Sequence, residues 1–176
     1  MKIKPTRIAL ALAALSSAAF AAPETALETA TIHIIGSTPL AGVGVPREQM
    51  PSNVQAVGSR RLEEAENLNL PDFMASQLPS VNLNETQGNP FQPDVNYRGF
   101  SASPLLGTPQ GLSVYLDGVR VNEPFGDTVN WDLLPRTAIA GIDLIPGSNP
   151  LFGLNTLGGA LAVRTQSGDP HPGTQT

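Results

Sequence analysis

Ser113-Val114-Tyr115-Leu116-Asp117-Gly118-Val119-Arg120-Val121 consists of two alternating apolar runs separated by Asp-Gly. A two-residue hairpin turn needs positive φ at both central positions, and Asp-Gly meets that demand at little steric cost. The stretch therefore predicts a hairpin with Leu116 opposite Val119 and Val114 opposite Val121, all four on one apolar face. Tyr115 and Arg120 would pair on the other face, where the guanidinium can stack on the ring. Turn chemistry accounts for Asp117, and a catalytic aspartate is the weaker reading.

Downstream, Gly141-Ile142-Asp143-Leu144-Ile145-Pro146-Gly147 and Gly158-Gly159-Ala160-Leu161-Ala162-Val163-Arg164-Thr165 predict a second strand pair joined by a Gly, Asn and Pro-rich link. The Gly pairs lack a Walker lysine and a strand, Gly-x-Gly-x-x-Gly, helix order, so tight turns explain them better than phosphate binding. Upstream, Val54-Gln55-Ala56-Val57 suits a short strand. Ser59 is placed to cap a helix through Arg60, Arg61, Leu62, Glu63, Glu64 and Ala65. Asn69 precedes a second helix, with Pro71 and Asp72 in its first turn, Phe73, Met74 and Leu78 on an apolar side, and Pro79 as its stop. Glu63, Glu64 and Glu66 read as a solvated helix surface rather than a catalytic carboxylate pair.

Composition narrows the function. The 176 residues suit one domain with tails. Seventeen Gly and 17 Pro with 14% charged residues predict a small, turn-rich core without long regular helices. Lys2, Lys4 and Arg7 form a basic start, Ile8 to Phe20 a short apolar run, and Ala19-Phe20-Ala21 a small-x-small cleavage pattern, so residues 1–21 read as a signal peptide. An uncleaved anchor is the alternative, but the run is only about 13 residues where a spanning helix needs roughly 20. Three of the ten cations lie in that leader, which leaves seven, all Arg, against fifteen carboxylates and a net charge of −8. A nucleic-acid surface, which needs clustered Lys and Arg, is not expected. With no Cys there is no disulfide framework, thiolate metal site or Cys nucleophile. Neither a Gly-x-Ser-x-Gly elbow nor a second His within the folded part is present to complete a triad.

Residues 22–50 read as a flexible arm carrying one apolar, β-prone island at Ile32-His33-Ile34-Ile35. His33 is expected to be an exposed residue of that island, because the only other His is His171 and a metal needs several convergent donors.

Five segments in order then carry a resemblance: Pro51-Ser52-Asn53-Val54; Leu78-Pro79-Ser80-Val81; Tyr97-Arg98-Gly99-Phe100; Val114-Tyr115-Leu116-Asp117-Gly118-Val119; and Ile142-Asp143-Leu144-Ile145-Pro146-Gly147 through Leu151-Phe152-Gly153-Leu154-Asn155-Thr156-Leu157-Gly158-Gly159-Ala160-Leu161. Over roughly 115 residues behind a signal peptide, this order resembles the plug domains of TonB-dependent outer-membrane receptors. Two departures stand out. Ile145-Pro146-Gly147-Ser148 replaces the usual Arg-Gly-Pro of the closing motif, and Arg164-Thr165-Gln166 replaces a Lys-containing stretch of the last strand.

The resemblance implies an α+β fold, a small mixed β-sheet with short helices and long Gly/Pro-rich loops over residues 51–167, with no enzymatic activity and no resident cofactor. It implies a 22-stranded barrel that is absent from this chain. At about 10 residues per strand that barrel would need on the order of 220 residues. Residues 168–176 would be a linker or the truncated start of it. The implied function is the gate for energised uptake of a scarce ligand such as a ferric siderophore, with TonB and its inner-membrane complex as partners. Two alternatives fit the same leader and composition: a secreted or periplasmic peptide- or glycan-binding module, and a non-functional truncated remnant.

Site expectations follow from this resemblance. Thr31, Ile32, His33, Ile34 and Ile35 would form the TonB box, an extended stretch able to join the edge of a partner's sheet; the alternative is an ordinary first strand of the plug. Three apical loops, 84–93, 101–111 and 122–131, would meet the ligand through Gln87, Phe91, Gln92, Ser101, Phe125, Asn130 and Trp131, since aromatic faces beside amides suit a planar chelate or a sugar. Trp131 could equally anchor its own loop. Arg98, Arg120 and Arg164, with Arg136 beside them, lie at strand signals and would meet barrel carboxylates; Arg98 leads among them, with an internal pair to Asp94, Asp117 or Asp143 as its alternative.

Overall fold

The computed structural model describes residues 34–36, 44–46 and 51–167. The leader and residues 168–176 lie outside them. Two short strands of the arm, β1 (Ile34–Gly36) and β2 (Gly44–Pro46), pair antiparallel as a hairpin of their own.

From residue 51 onward, β3 (Gln55–Gly58) runs directly into α1 (Ser59–Glu64), followed by α2 (Leu70–Gln77). Then come β4 (Val81–Asn84), β5 (Asp94–Tyr97), β6 (Phe100–Ala102), β7 (Leu112–Leu116), β8 (Val119–Arg120), β9 (Ile139–Pro146) and β10 (Gly159–Thr165). Strands β4, β5 and β6 form an antiparallel meander. The others make a five-stranded sheet in the order β3-β9-β10-β7-β8. Its β10–β7 pair is parallel and its remaining pairs are antiparallel, which makes the fold α+β with a small mixed sheet, as expected.

The Asp-Gly hairpin has the expected register, Leu116 opposite Val119 and Tyr115 opposite Arg120. Asp117 and Gly118 adopt φ of 48° and 85°, the left-handed pair that this turn requires. Asp117 has a second task that turn chemistry did not reveal. Its Oδ1 accepts the Thr165 backbone N–H at 2.9 Å and its Oδ2 the Thr165 hydroxyl at 2.6 Å, so the turn is stitched to the end of β10. Arg98-Gly99 repeats the turn between β5 and β6, with φ of 51° and 88°.

Two details of the hairpin depart from expectation. Val119 is exposed, because edge strand β8 projects past the core. Tyr115 does not stack on Arg120. Strand β7 lies inside the sheet with both faces covered, so the Tyr115 ring enters a second apolar cluster and meets the Phe152 ring at 6.2 Å between centroids.

That inner position explains why the sheet has two cores. One face presents Val57, Ile142, Leu144, Leu161, Val163, Leu112 and Val114 to α2 and the meander, with Phe73, Met74, Tyr97 and Trp131 between them. The other buries Val54, Ile145, Phe152 and Ala160 around Tyr115. Each large apolar side chain withdrawn from water in this way contributes about 1.5–3 kcal/mol before the entropy of ordering it is subtracted.

Helix α2 starts as its sequence requires, with the Asn69 side chain accepting from the Asp72 N–H at 2.8 Å. Helix α1 does not. Gly58 is at once the last residue of β3 and the cap position, so Ser59 is already helical and makes no capping bond.

Candidate functional site

The five-stranded sheet has two unlike ends. One carries the Asp117-Gly118 turn and the end of β10. The other collects three loops, because β7 and β10 begin there while β8 and β9 finish there: Gly159 lies opposite both Leu112 and Pro146. The loops are 103–111 entering β7, 121–130 leaving β8, and 147–158 linking β9 to β10.

Hydrogen bonds lock these loops together. Asn122, buried, accepts from Val114 N at 2.7 Å and donates to Leu112 O at 3.0 Å, fixing the root of the second loop against β7. The Val129 N–H donates to Ser103 O at 3.0 Å, and the Leu157 N–H to Gly111 O at 3.0 Å. Asp127, in the left-handed region at φ 56°, receives Arg120 Nη2 on Oδ1 at 2.7 Å and Asn155 Nδ2 on Oδ2 at 2.8 Å, joining the second loop to the third. Asp94 accepts from the hydroxyls of Ser103 and Thr86, which ties loop 84–93 to the root of loop 103–111. Below the third loop the Ser113 and Thr156 hydroxyls meet at 2.5 Å, and Tyr115 donates to Phe152 O. Burial pushes the Tyr115 phenol above its usual pKa, with Arg120 pulling the other way.

The result is a rigid polar frame that pushes large apolar side chains outward. Phe125 is 79% exposed and Leu154 87%, with Leu106 and Leu157 also exposed at the same end. Leu106 lies over Gly126, next in sequence to Phe125, where an added Cβ would come within 2.3 Å of its Cδ2, and the Asn155–Asp127 bond ties the loop of Leu154 and Leu157 to that of Phe125. Chemically this is a contact surface. Among the described residues no group of three His, Asp or Glu could hold a metal ion.

The expected ligand residues divide. Phe125 is exposed on the second loop, and Asn130, on the same loop, donates to Glu123 Oε1 at 2.5 Å. Gln87 is exposed and Gln92 half-buried on loop 84–93. Phe91, on the same loop, turns instead toward a separate cavity of about 450 Å³ that Leu68, Leu70, Leu134 and Arg136 also line. The Ser101 hydroxyl is spent on Asn96 Oδ1 at 2.6 Å, on the meander. Trp131 is 2% exposed with its indole N–H donating to Ala102 O, the placement of a loop anchor, and its edge lines the same cavity as Phe91. Sequence reasoning missed loop 147–158 altogether, with Leu106 and Leu154; Asp127 and Asn155, residue types that tolerate positive φ, were the available signal.

Of the expected TonB box, Ile34 and Ile35 lie in β1, while Thr31, Ile32 and His33 are outside the described residues. The arginines also divide. Arg120 pairs with Asp127, Arg164 with Asp143 at 3.3 Å, and Arg136 donates to Asn67 O at 2.6 Å. Among the described residues, Arg98 makes neither an ion pair nor a hydrogen bond; its guanidinium carbon stands 5.1 Å from the centre of the Tyr97 ring.

Comparison with known proteins fits this geometry. The family model for the TonB-dependent receptor plug domain matches residues 46–160. No curated protein matches the chain. Among solved structures, the ferric yersiniabactin uptake receptor FyuA of Yersinia pestis is 23% identical with a TM-score of 0.50, covering 66% of this chain and 17% of its own. FpvA of P. aeruginosa, solved with heterologous pyoverdines, is 15% identical with a TM-score of 0.56, covering 76% and 16%. The hemophore receptor HasR of Serratia marcescens is 19% identical with a TM-score of 0.51, covering 69% and 18%. The chain thus spans less than a fifth of the length of each of these receptors, and the part it matches is one domain. With the mixed sheet, the loop-built end and a family match over residues 46–160, this chain belongs to the family of TonB-dependent receptor plug domains.

Proposed function

We propose that this chain is the gate of an outer-membrane receptor, exported by its leader, that admits a scarce ligand such as a ferric siderophore when TonB pulls on its arm, and that it performs no catalysis itself. The observation that carries this is the locked loop end, which holds Phe125 and Leu154 out toward solvent on a hydrogen-bonded frame. Residues so placed on loops over a rigid scaffold are suited to binding. Loop 84–93, with Gln87 and Gln92, borders the same end.

The hairpin of the arm supports TonB as its partner. A two-stranded hairpin is marginal in water, so β1 can leave β2 and add to the edge of a TonB sheet through its backbone. Replacing Ile34 by Pro removes one N–H from that ladder. The expected result in the full receptor is loss of energised uptake, by at least about tenfold, with ligand affinity unchanged. Uptake at the normal rate would refute the assignment of Thr31 to Ile35 as the TonB box.

Plug and barrel must hold without locking permanently, and directional ionic contacts suit that need in a polar barrel lumen. Arg98 is the residue we assign to a barrel carboxylate, since it is exposed and, beyond its stacking on the Tyr97 ring, keeps its guanidinium donors without an ion pair among the described residues. Arg120 and Arg164, already paired internally, would add weaker contacts with their remaining donors. Arg98→Ala should lower the melting temperature of the intact receptor clearly more than that of the 176-residue chain alone. Equal losses in both would place the contact inside the plug.

A further inference from the structure

The loops of the proposed ligand-facing end, 84–93, 103–111, 121–130 and 147–158, contain three ionisable side chains, Glu85, Glu123 and Asp127. All three are acidic, and no Lys, Arg or His occurs in any of the four loops. Arg120, at the root of loop 121–130, is committed to Asp127, whose second oxygen is taken by Asn155. A multiply charged anion approaching this end would therefore meet carboxylates and no uncommitted guanidinium or ammonium, and would surrender water without recovering an ionic partner. What the end does offer is apolar surface from Phe125, Leu154, Leu106 and Leu157, and amides such as Asn155 at its edge.

We propose that the ligand seated here is an electrically neutral metal chelate with apolar surface, of the tris-hydroxamate type, rather than a polyanionic one. The inference rests on the receptor reading above and adds the charge class of the ligand. Three hydroxamates, each carrying one negative charge, balance one ferric ion, whereas three doubly charged catecholates leave the complex at −3. Apolar burial would supply the attraction in the first case, and repulsion from Glu123 would oppose it in the second.

The test uses the full detergent-solubilised receptor that carries this chain, titrated with a neutral ferric tris-hydroxamate and with a ferric tris-catecholate. The hydroxamate should bind at least about 100-fold more tightly, and its Kd should change less than about twofold between low and high salt, since screening weakens only charged attraction. The double variant Phe125→Ser/Leu154→Ser should weaken hydroxamate binding by about tenfold or more through lost apolar contact. Glu123→Lys, which keeps the Arg120–Asp127–Asn155 links and gives up only the hydrogen bond from Asn130, should tighten catecholate binding. Tighter binding of the catecholate by the unaltered receptor would overturn the inference while leaving the receptor reading standing. So would hydroxamate binding that the double variant leaves unchanged, because the ligand would then sit elsewhere. Binding of neither chelate by a receptor present in normal amount would remove the receptor reading and the inference together.

Discussion

Replacing Gly159 by Ala should prevent the five-stranded sheet from closing. Gly159 opens β10 with φ at +149°, a backbone conformation that L side chains rarely adopt. An added Cβ would stand 2.5 Å from Ile145 O and 3.2 Å from Pro146 Cα, both backbone atoms of the neighbouring strand β9. Neither can move without breaking the ladder in which Gly159 faces Pro146 on one side and Leu112 on the other. Strain of this kind combined with a backbone clash costs more than about 3 kcal/mol, a large part of the 5–15 kcal/mol that usually separates folded from unfolded domains. The adjacent Gly158 is a useful control. There an added Cβ would meet the Phe100 side chain at 2.4 Å, and no positive φ is involved. Turning the Phe100 ring relieves part of this clash, but Phe100 Cβ, 2.5 Å away, moves only with β6, a strand outside the five-stranded sheet, so Gly158→Ala should cost about 1–3 kcal/mol, the usual range for overpacking. Urea denaturation of both variants checks the ordering. A Gly159→Ala chain that unfolds at the same urea concentration as the unaltered one would show that β10 can enter the sheet another way.

What could be read from the sequence was local. Asp117-Gly118 demanded positive φ whatever its surroundings, and the hairpin register followed from it. Asn69 and Pro71 marked the start of α2 because an unsatisfied N–H and a missing one belong to the first turn of any helix. What joins distant segments was not legible. The parallel pairing of β10 on β7 links residues more than forty positions apart, and nothing in either strand names its neighbour. That pairing buries both faces of β7, so it also decided that Tyr115 would turn into a core and leave Arg120 to Asp127. Loop 147–158 read as a mere link for the same reason. Its place beside Asp127 depends on where β10 begins. Which carboxylate each arginine meets was not legible either: Arg164–Asp143 depends on β10 lying against β9, and Arg120–Asp127 on a carboxylate in an irregular loop. The segment order that resembles receptor plugs carried the fold class.

For Trp131 the sequence left a ligand contact and a loop anchor equally open, and its replacement tests which of them holds. An aromatic residue beside Asn130 in a loop is equally suited to a ligand and to a core. The structure puts it in the core: the ring is 2% exposed among buried Val129, Leu134 and Ala102, and Nε1 donates to Ala102 O at 3.3 Å. Trp131→Ala removes the largest fully buried side chain of the described residues. It should destabilise the chain by about 3–5 kcal/mol, the cost of lost burial plus the cavity left behind. Trp131→Phe keeps most of the ring contact and loses the indole hydrogen bond to Ala102 O, a smaller cost of about 0.5–1.5 kcal/mol. A residue sealed beneath its loop can affect binding only by loosening that loop. Trp131→Phe in the intact receptor should therefore lower the unfolding midpoint while changing ligand affinity less than about twofold, because the exposed loop end above it stays assembled. Trp131 is also the chain's one tryptophan. Its emission should be blue-shifted in the folded chain, as expected for an indole away from water, and should move to the red on unfolding. A Trp131→Phe receptor of unaltered stability that had lost affinity tenfold would return this side chain to the ligand surface.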